Sequence, residues 1–160
     1  MLRRFATEHD GLRDSIGLLR AAADRLAAGN NAAALQALAR AHTVLTDQIL
    51  PHEQAEETQL YPALAGPLGS GEATATMSRT HAEIQRLSDR IGAHLALAQA
   101  RGVIQPDQVD DLLACLYGLY AVLRLHFVQE EENYFTLAHD EPESGQTPRL
   151  PRRPGATKIP

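Results

Sequence analysis

One six-residue pattern, His-x-x-x-Glu-Glu, occurs twice in this chain, as HEQAEE at 52–57 and HFVQEE at 126–131. Each copy follows another histidine at nearly the same interval, His9 lying 43 residues before His52 and His81 lying 45 before His126. A histidine and a carboxylate four apart on a helix project from one face, one turn apart. Four helices, two with a lone histidine and two with a His/Glu pair, can close a box of nitrogen and oxygen donors. The repeat therefore points to a helical bundle with a paired-metal site inside it.

Composition agrees. The 160 residues suit one domain with a single buried core, and a chain 44% hydrophobic, rich in Ala and Leu and without Trp leans helical. A net charge of −5 argues against a nucleic-acid or anionic-membrane partner. The single cysteine, Cys115, cannot form an intramolecular disulfide, which fits a reducing compartment. The N-terminal MLRRFATEHDG lacks the apolar stretch of a signal peptide, and no apolar run approaches the roughly 20 residues of a bilayer span. Cytoplasmic localisation, no membrane partner, and a monomer or weak homodimer are the expectations.

Three punctuation marks divide the body. Gly29-Asn30-Asn31 combines a helix stop with an N-cap candidate, 66–71 (GPLGSG) is the clearest loop, and Gly102 with Gln105-Pro106-Asp107 ends one helix and opens the next. Helices are predicted over 2–28, 32–65, 72–100 and 107–138, forming an all-α, up-down-up-down antiparallel four-helix bundle. Pro51, inside the second helix, should kink it just before His52. The bundle takes residues 1–139. Residues 140–160 are rich in Pro and Arg and have little to bury, so a disordered tail is expected there.

Short loops make sequential helices antiparallel neighbours, so height can be counted outward from each turn at about 1.5 Å per residue. His9 and His52 each lie about 20 residues from the first turn, and His81 and His126 each lie about 21 from the third. All four then share one layer. At about 100° per residue, Glu56 and Glu130 stay within about 40° of their histidines, whereas Glu57 and Glu131 are offset about 140° toward the flank. The flanking acids are expected to be solvated. His42, His94 and His139 fall off the stripe and are expected to be exposed, and Cys115 on the apolar stripe is expected to be a small core residue.

The inner set is thus His9, His52, Glu56, His81, His126 and Glu130. Imidazole with carboxylate in a closed bundle suits Fe, Mn or Zn better than Ca or Mg. Two carboxylates among four histidines suggest two ions bridged by carboxylate, each with two histidines. Left without such compensation, Glu56 and Glu130 would be costly to bury.

EHDGLRDSI around His9, LPHEQAEETQLYPAL around His52, THAEIQRL around His81 and LHFVQEEENYF around His126 resemble the hemerythrin-like (HHE) cation-binding domains. The resemblance covers about residues 2–138. It implies a four-helix bundle holding two non-haem iron ions, oxo- or hydroxo-bridged and carboxylate-bridged. It assigns ligand roles to His9, His52, Glu56, His81 and His126, with Glu56 as a bridge, and Glu130 matches the pattern of a carboxylate four after its histidine. Members of the family carry oxygen, sense oxygen, iron or nitric oxide, or decompose peroxide, so a small diatomic or peroxide ligand and a role in oxidative-stress, oxygen or iron response are expected.

Two departures bear on which activity is meant. Oxygen carriers have a second histidine four residues before the third-helix ligand, where this chain has Met77, a poor ligand for hard iron. In carriers the last carboxylate also falls five after its histidine, which here is Glu131. An extra open position on one iron favours a reactive or sensing centre over a dedicated carrier. A di-iron oxidoreductase with catalase- or peroxidase-like activity is the first alternative, and iron storage or a Zn-loaded structural bundle is the second.

Overall fold

The computed structural model of the protein describes residues 1–29 and 31–139. Four long helices account for nearly all of them, and no strand occurs among the described residues. These are α1 (Leu2–Ala27), α2 (31–64), α3 (Ala75–Arg101) and α4 (Pro106–Asn133), followed by a closing 3-10 turn, Phe135–His139. The expected tail lies outside the described residues.

The boundaries follow local chemistry. Gly102 adopts φ 71°, a left-handed conformation that stops α3, and the next amide, Val103, reaches back to the Ala98 carbonyl at 3.1 Å. Gln105 and Gln108 form a capping box at the start of α4, with Pro106 in the first turn, where its missing N–H costs nothing. The third helix begins at Ala75 rather than at 72, because 65–74 is occupied by turns.

Pro51 does not simply kink α2. Two stretches of α2, Leu45–Ile49 and Glu56–Leu60, are π turns, in which the Leu50 amide bonds the Leu45 carbonyl and the Tyr61 amide bonds the Glu56 carbonyl. A proline follows each directly after that amide, Pro51 in one case and Pro62 in the other. In an unbroken α-helix each ring would meet the carbonyl four residues back. The π turn offsets that register and absorbs the proline, and such turns are frequent at functional sites.

The helices close a ring in which α1 packs on α2 and α4, and α3 packs on α4 and α2. Two apolar clusters fill it. The larger includes Leu19, Leu38, Leu45, Ile84, Ile91, Leu112, Leu116 and Cys115, and the smaller, toward the other end, joins Phe5, Leu60, Tyr61, Leu64, Met77, Tyr134 and Phe135. Each fully buried large side chain contributes about 1.5–3 kcal/mol. Cys115 is the core residue the sequence suggested. Between the clusters, at one level of the ring, lie His9, His52, His81 and His126.

One helix, Pro106–Leu137, is by length and composition apolar enough to cross a membrane, where the sequence reading expected none. Its composition follows from its place in the bundle. One face carries Leu112, Leu116, Leu119 and Leu123 into the core, and the outward face adds exposed Tyr117, Leu125 and Val128.

Candidate metal centre

Each helix delivers one histidine, and α2 and α4 add carboxylates. His9, Glu56, His126 and Glu130 are completely buried, and His52, Glu53 and His81 nearly so. Glu56 lies in the middle. Its Oε1 faces the Nε2 atoms of His52 at 3.1 Å and His9 at 3.6 Å, while its Oε2 faces those of His81 at 3.4 Å and His126 at 3.9 Å. Glu130 turns Oε2 toward the Nε2 atoms of both His9 and His126, each at 3.4 Å. The six residues of the expected inner set therefore meet in one cluster.

Glu53 was not among them. Its carboxylate contacts His81 Nε2 and approaches His126 Nε2 at 3.2 Å. Two donor groups result: His9, His52 and Glu56 in one, and Glu53, Glu56, His81 and His126 in the other, each with donor atoms within 4.8 Å of one another. Glu56 belongs to both. At about 100° from His52, Glu53 falls off the His52/Glu56 stripe that the sequence reading followed, but α2 has neighbours on two sides. His52 looks toward α1 and Glu56 into the middle of the ring, while Glu53 and Glu57 turn toward His81 of α3, Glu53 reaching His126 of α4 as well. A second carboxylate directly after the histidine was the available signal.

The doubled Glu of the motif also has a role that the solvated-flank reading missed. Glu57 Oε1 accepts from His81 Nδ1 at 2.8 Å, and Ser78 donates to its other oxygen at 3.0 Å. Glu131 Oε1 accepts from His9 Nδ1 at 3.2 Å and is itself held by Arg13. Glu8 accepts from His52 Nδ1 at 3.0 Å and pairs with Arg4 at 3.2 Å. In each case a carboxylate behind the ring fixes the tautomer that presents Nε2 to the cluster. So the first Glu of each motif faces inward and the second braces a histidine of the neighbouring helix. Glu130, not Glu131, is the inward carboxylate of α4.

Tyr61 is a further residue the sequence did not single out. Its hydroxyl donates to Glu130 Oε1 at 2.5 Å and lies 3.1 Å from His81 Nε2. Aromatic rings wall the other half, with Phe127 stacked on His9 at 4.1 Å and Phe5 and Phe135 edge-on to His52 and His9. Of the spare histidines, His42 and His94 stand apart from the cluster, but neither is fully exposed as the sequence suggested. His94 is half-buried and bonded to Asp111 at 2.7 Å and to Gln108, and half-buried His42 packs over Gly92. The side chain of His139 lies outside the described residues.

Burial opposes charge on every imidazole here, yet the carboxylates outweigh it. Glu130 and Glu56 push His9 up to about 9, Glu53 and Glu56 push His81 up to about 10 and His126 up to about 9, and Glu56 raises His52. Burial likewise works against charge on Glu53 and Glu56, and the histidines hold both below the usual carboxylate range. Glu130 goes the other way, raised by burial and by the Glu56 charge. Burial and the carboxylates also push the Tyr61 phenol far above its ordinary value. Without a cation, protons must supply the positive charge that this layer demands.

Seven buried donor atoms in the cluster lack a hydrogen-bond partner: Nε2 of His9 and His52, both oxygens of Glu53 and of Glu56, and Oε2 of Glu130. Buried polar atoms are normally paired, because each unsatisfied one costs about 1–3 kcal/mol. Here they converge, and they are nitrogen and oxygen atoms of the kind that bind a transition metal. The residues present fit a pair of such ions.

The hemerythrin HHE cation-binding domain model matches residues 1–138, and the chain belongs to that family. No curated protein and no solved structure matches it.

Proposed function

We propose that the protein is a non-haem di-iron protein that binds O2, NO or peroxide. The observation carrying this is the pair of donor groups sharing Glu56, with convergent unpartnered atoms in both. His9, His52 and one oxygen of Glu56 would hold one ion, and His81, His126, Glu53 and the other oxygen of Glu56 the second, with Glu130 reaching toward both. When bound, the two irons supply Lewis acidity and one-electron redox chemistry for a small ligand.

The chain's own residues differ across the centre. The His9/His52 half has fewer carboxylates and aromatic walls, which favours an exchangeable position there for a small, weakly polar ligand. A groove of about 520 Å³ between α1 and α2, lined by Gly11, Ala55 and Pro51 among others, leads to His52 and offers the approach. Glu53 adds a carboxylate on the His81/His126 side, while Met77 is packed in the smaller apolar cluster and offers no imidazole there. Tyr61 holds Glu130 by its hydroxyl and carries a proton within the centre. A phenol proton so placed is the observation that favours the second reading, peroxide decomposition.

Metal analysis of aerobically purified protein with its optical spectrum tests the proposal. About two irons per chain and oxo-bridge charge-transfer bands are expected. Zinc alone, or spectra of iron bound without a paired centre, would overturn it. O2 evolution on adding peroxide separates the peroxide reading from ligand binding.

A further inference from the structure

Three of the four imidazoles are braced by a carboxylate at Nδ1, and His126 is not. It is fully buried with Nε2 turned to Glu53 and Glu130, and its Nδ1, buried as well, meets no hydrogen-bond partner. The two helix hairpins explain the gap. His9 corresponds to His81 and His52 to His126, so Glu8, which braces His52, corresponds to Thr80. Threonine is too short to replace it, and its hydroxyl is already donated to the Thr76 carbonyl at 3.1 Å.

A groove of about 310 Å³ lies at that place between α3 and α4, where His126 borders it together with Thr76, Arg79, Thr80, Glu83 and Gln129 on its polar side. Its charges are few. Glu83 is held by Arg86 through contacts of 2.6 and 2.7 Å, whereas Arg79 has no acidic partner among the described residues. Arg79 donates to Thr76 Oγ1 at 3.0 Å, leaving the Thr76 O–H able to donate into the groove. Thr76 is also in the first turn of the 27-residue α3, the end of a helix that favours an anion. Val122 and exposed Leu125 make the opposite wall apolar.

We infer that this groove binds a short-chain monocarboxylate of about propionate size. Its carboxylate accepts from His126 Nδ1 and Arg79, and its alkyl end lies on Val122 and Leu125. The ligand supplies from outside the brace that Glu8, Glu57 and Glu131 supply from within. Because such a brace orients a ligating imidazole and raises its basicity, occupancy of the groove would tighten metal binding at His126. The inference deepens the di-iron reading and rests on it for the effect on metal, whereas carboxylate binding itself calls only on Arg79, His126 and the apolar wall.

The test uses the full chain with its metal content measured first. Formate, acetate, propionate and inorganic phosphate are titrated by calorimetry, with the His126 imidazole ¹⁵N shift followed in parallel. Saturable binding that strengthens from formate to propionate and moves the Nδ1 resonance is expected. Arg79→Ala and, independently, Thr80→Glu, which offers a carboxylate from the protein itself, should each weaken propionate binding roughly tenfold or more. Absence of saturable propionate binding, equal binding of phosphate, or indifference to both substitutions would overturn the inference. A chain that holds no metal but still binds propionate in this way would sink the di-iron reading alone.

Discussion

The α1–α2 and α3–α4 hairpins are built on one plan and differ where their chemistry diverges. Both supply a lone histidine, then a histidine with an inward Glu and a bracing Glu. The residue directly after the second histidine differs, Glu53 in one hairpin and Phe127 in the other, and each points at the opposite pair of histidines. Glu53 thus enriches the His81/His126 half in negative charge, while Phe127 stacks on His9 and dries the His9/His52 half. The residue before the first histidine also differs, Glu8 against Thr80, and leaves only His126 unbraced. The halves also differ nine residues after the second histidine, where Tyr61 meets His81 and Glu130 in one case and Phe135 lies edge-on to His9 in the other.

Removing what the halves share should have the largest effect. Glu56→Ala deletes the carboxylate common to both donor groups and is expected to take metal content from about two ions per chain to well below one, as read by metal analysis. Glu53→Gln touches only one half, so about one ion should remain, bound by His9 and His52. Equal loss from both halves in that variant would break the comparison. Removing a brace is milder. Glu57→Ala and Glu131→Ala should each cost roughly 10- to 100-fold in metal affinity, the first at the His81 ion and the second at the His9 ion.

The halves share a pH signature. In the metal-free protein His9 and His126 titrate at about 9 and His81 at about 10, all raised above 6.5. Their contribution to stability is fully present below about pH 6.5 and is lost as pH rises through about 9 to 10. The melting temperature of metal-free protein should therefore fall between pH 7 and 10, whereas metal-loaded protein, whose histidines are already neutral, should hold its own. Parallel curves for the two forms would mean that protons do not stand in for the metal. The smallest effects belong to the spare histidines. His42→Ala and His94→Ala should leave metal content unchanged, with His94→Ala costing about 1 kcal/mol of stability for its lost bonds to Asp111 and Gln108.

Much of this was legible in the sequence because helices translate spacing into height. Equal counts from the turns placed four histidines in one layer, and the punctuation at Gly29, 66–71 and Gly102 set the helix ends. What escaped depended on neighbours. An angular stripe on one helix cannot say that α2 presents a flank to α3, so Glu57 reads as solvated and Glu53 carries no signal in its phase. Tyr61 was hidden in the same way, since its role comes from Glu130 and His81 on other helices. The π turns were signalled by Pro51 and Pro62 eleven residues apart, but a proline alone does not distinguish a kink from an extra residue.

Those π turns bear on how such a helix can change over evolutionary time. Each holds one residue more than the α turn it interrupts, as if an insertion had been accepted without being repaired. Once a proline follows, the insertion is hard to reverse, because excising the extra residue would return the Pro51 ring to the carbonyl it now avoids. Loss of the residue must wait for loss of the proline. Two proline rings that offer the centre no donor atom thus act as pawls on a ratchet, keeping the rotational setting of His52, Glu53, Glu56 and Glu57 from slipping by a single-residue deletion.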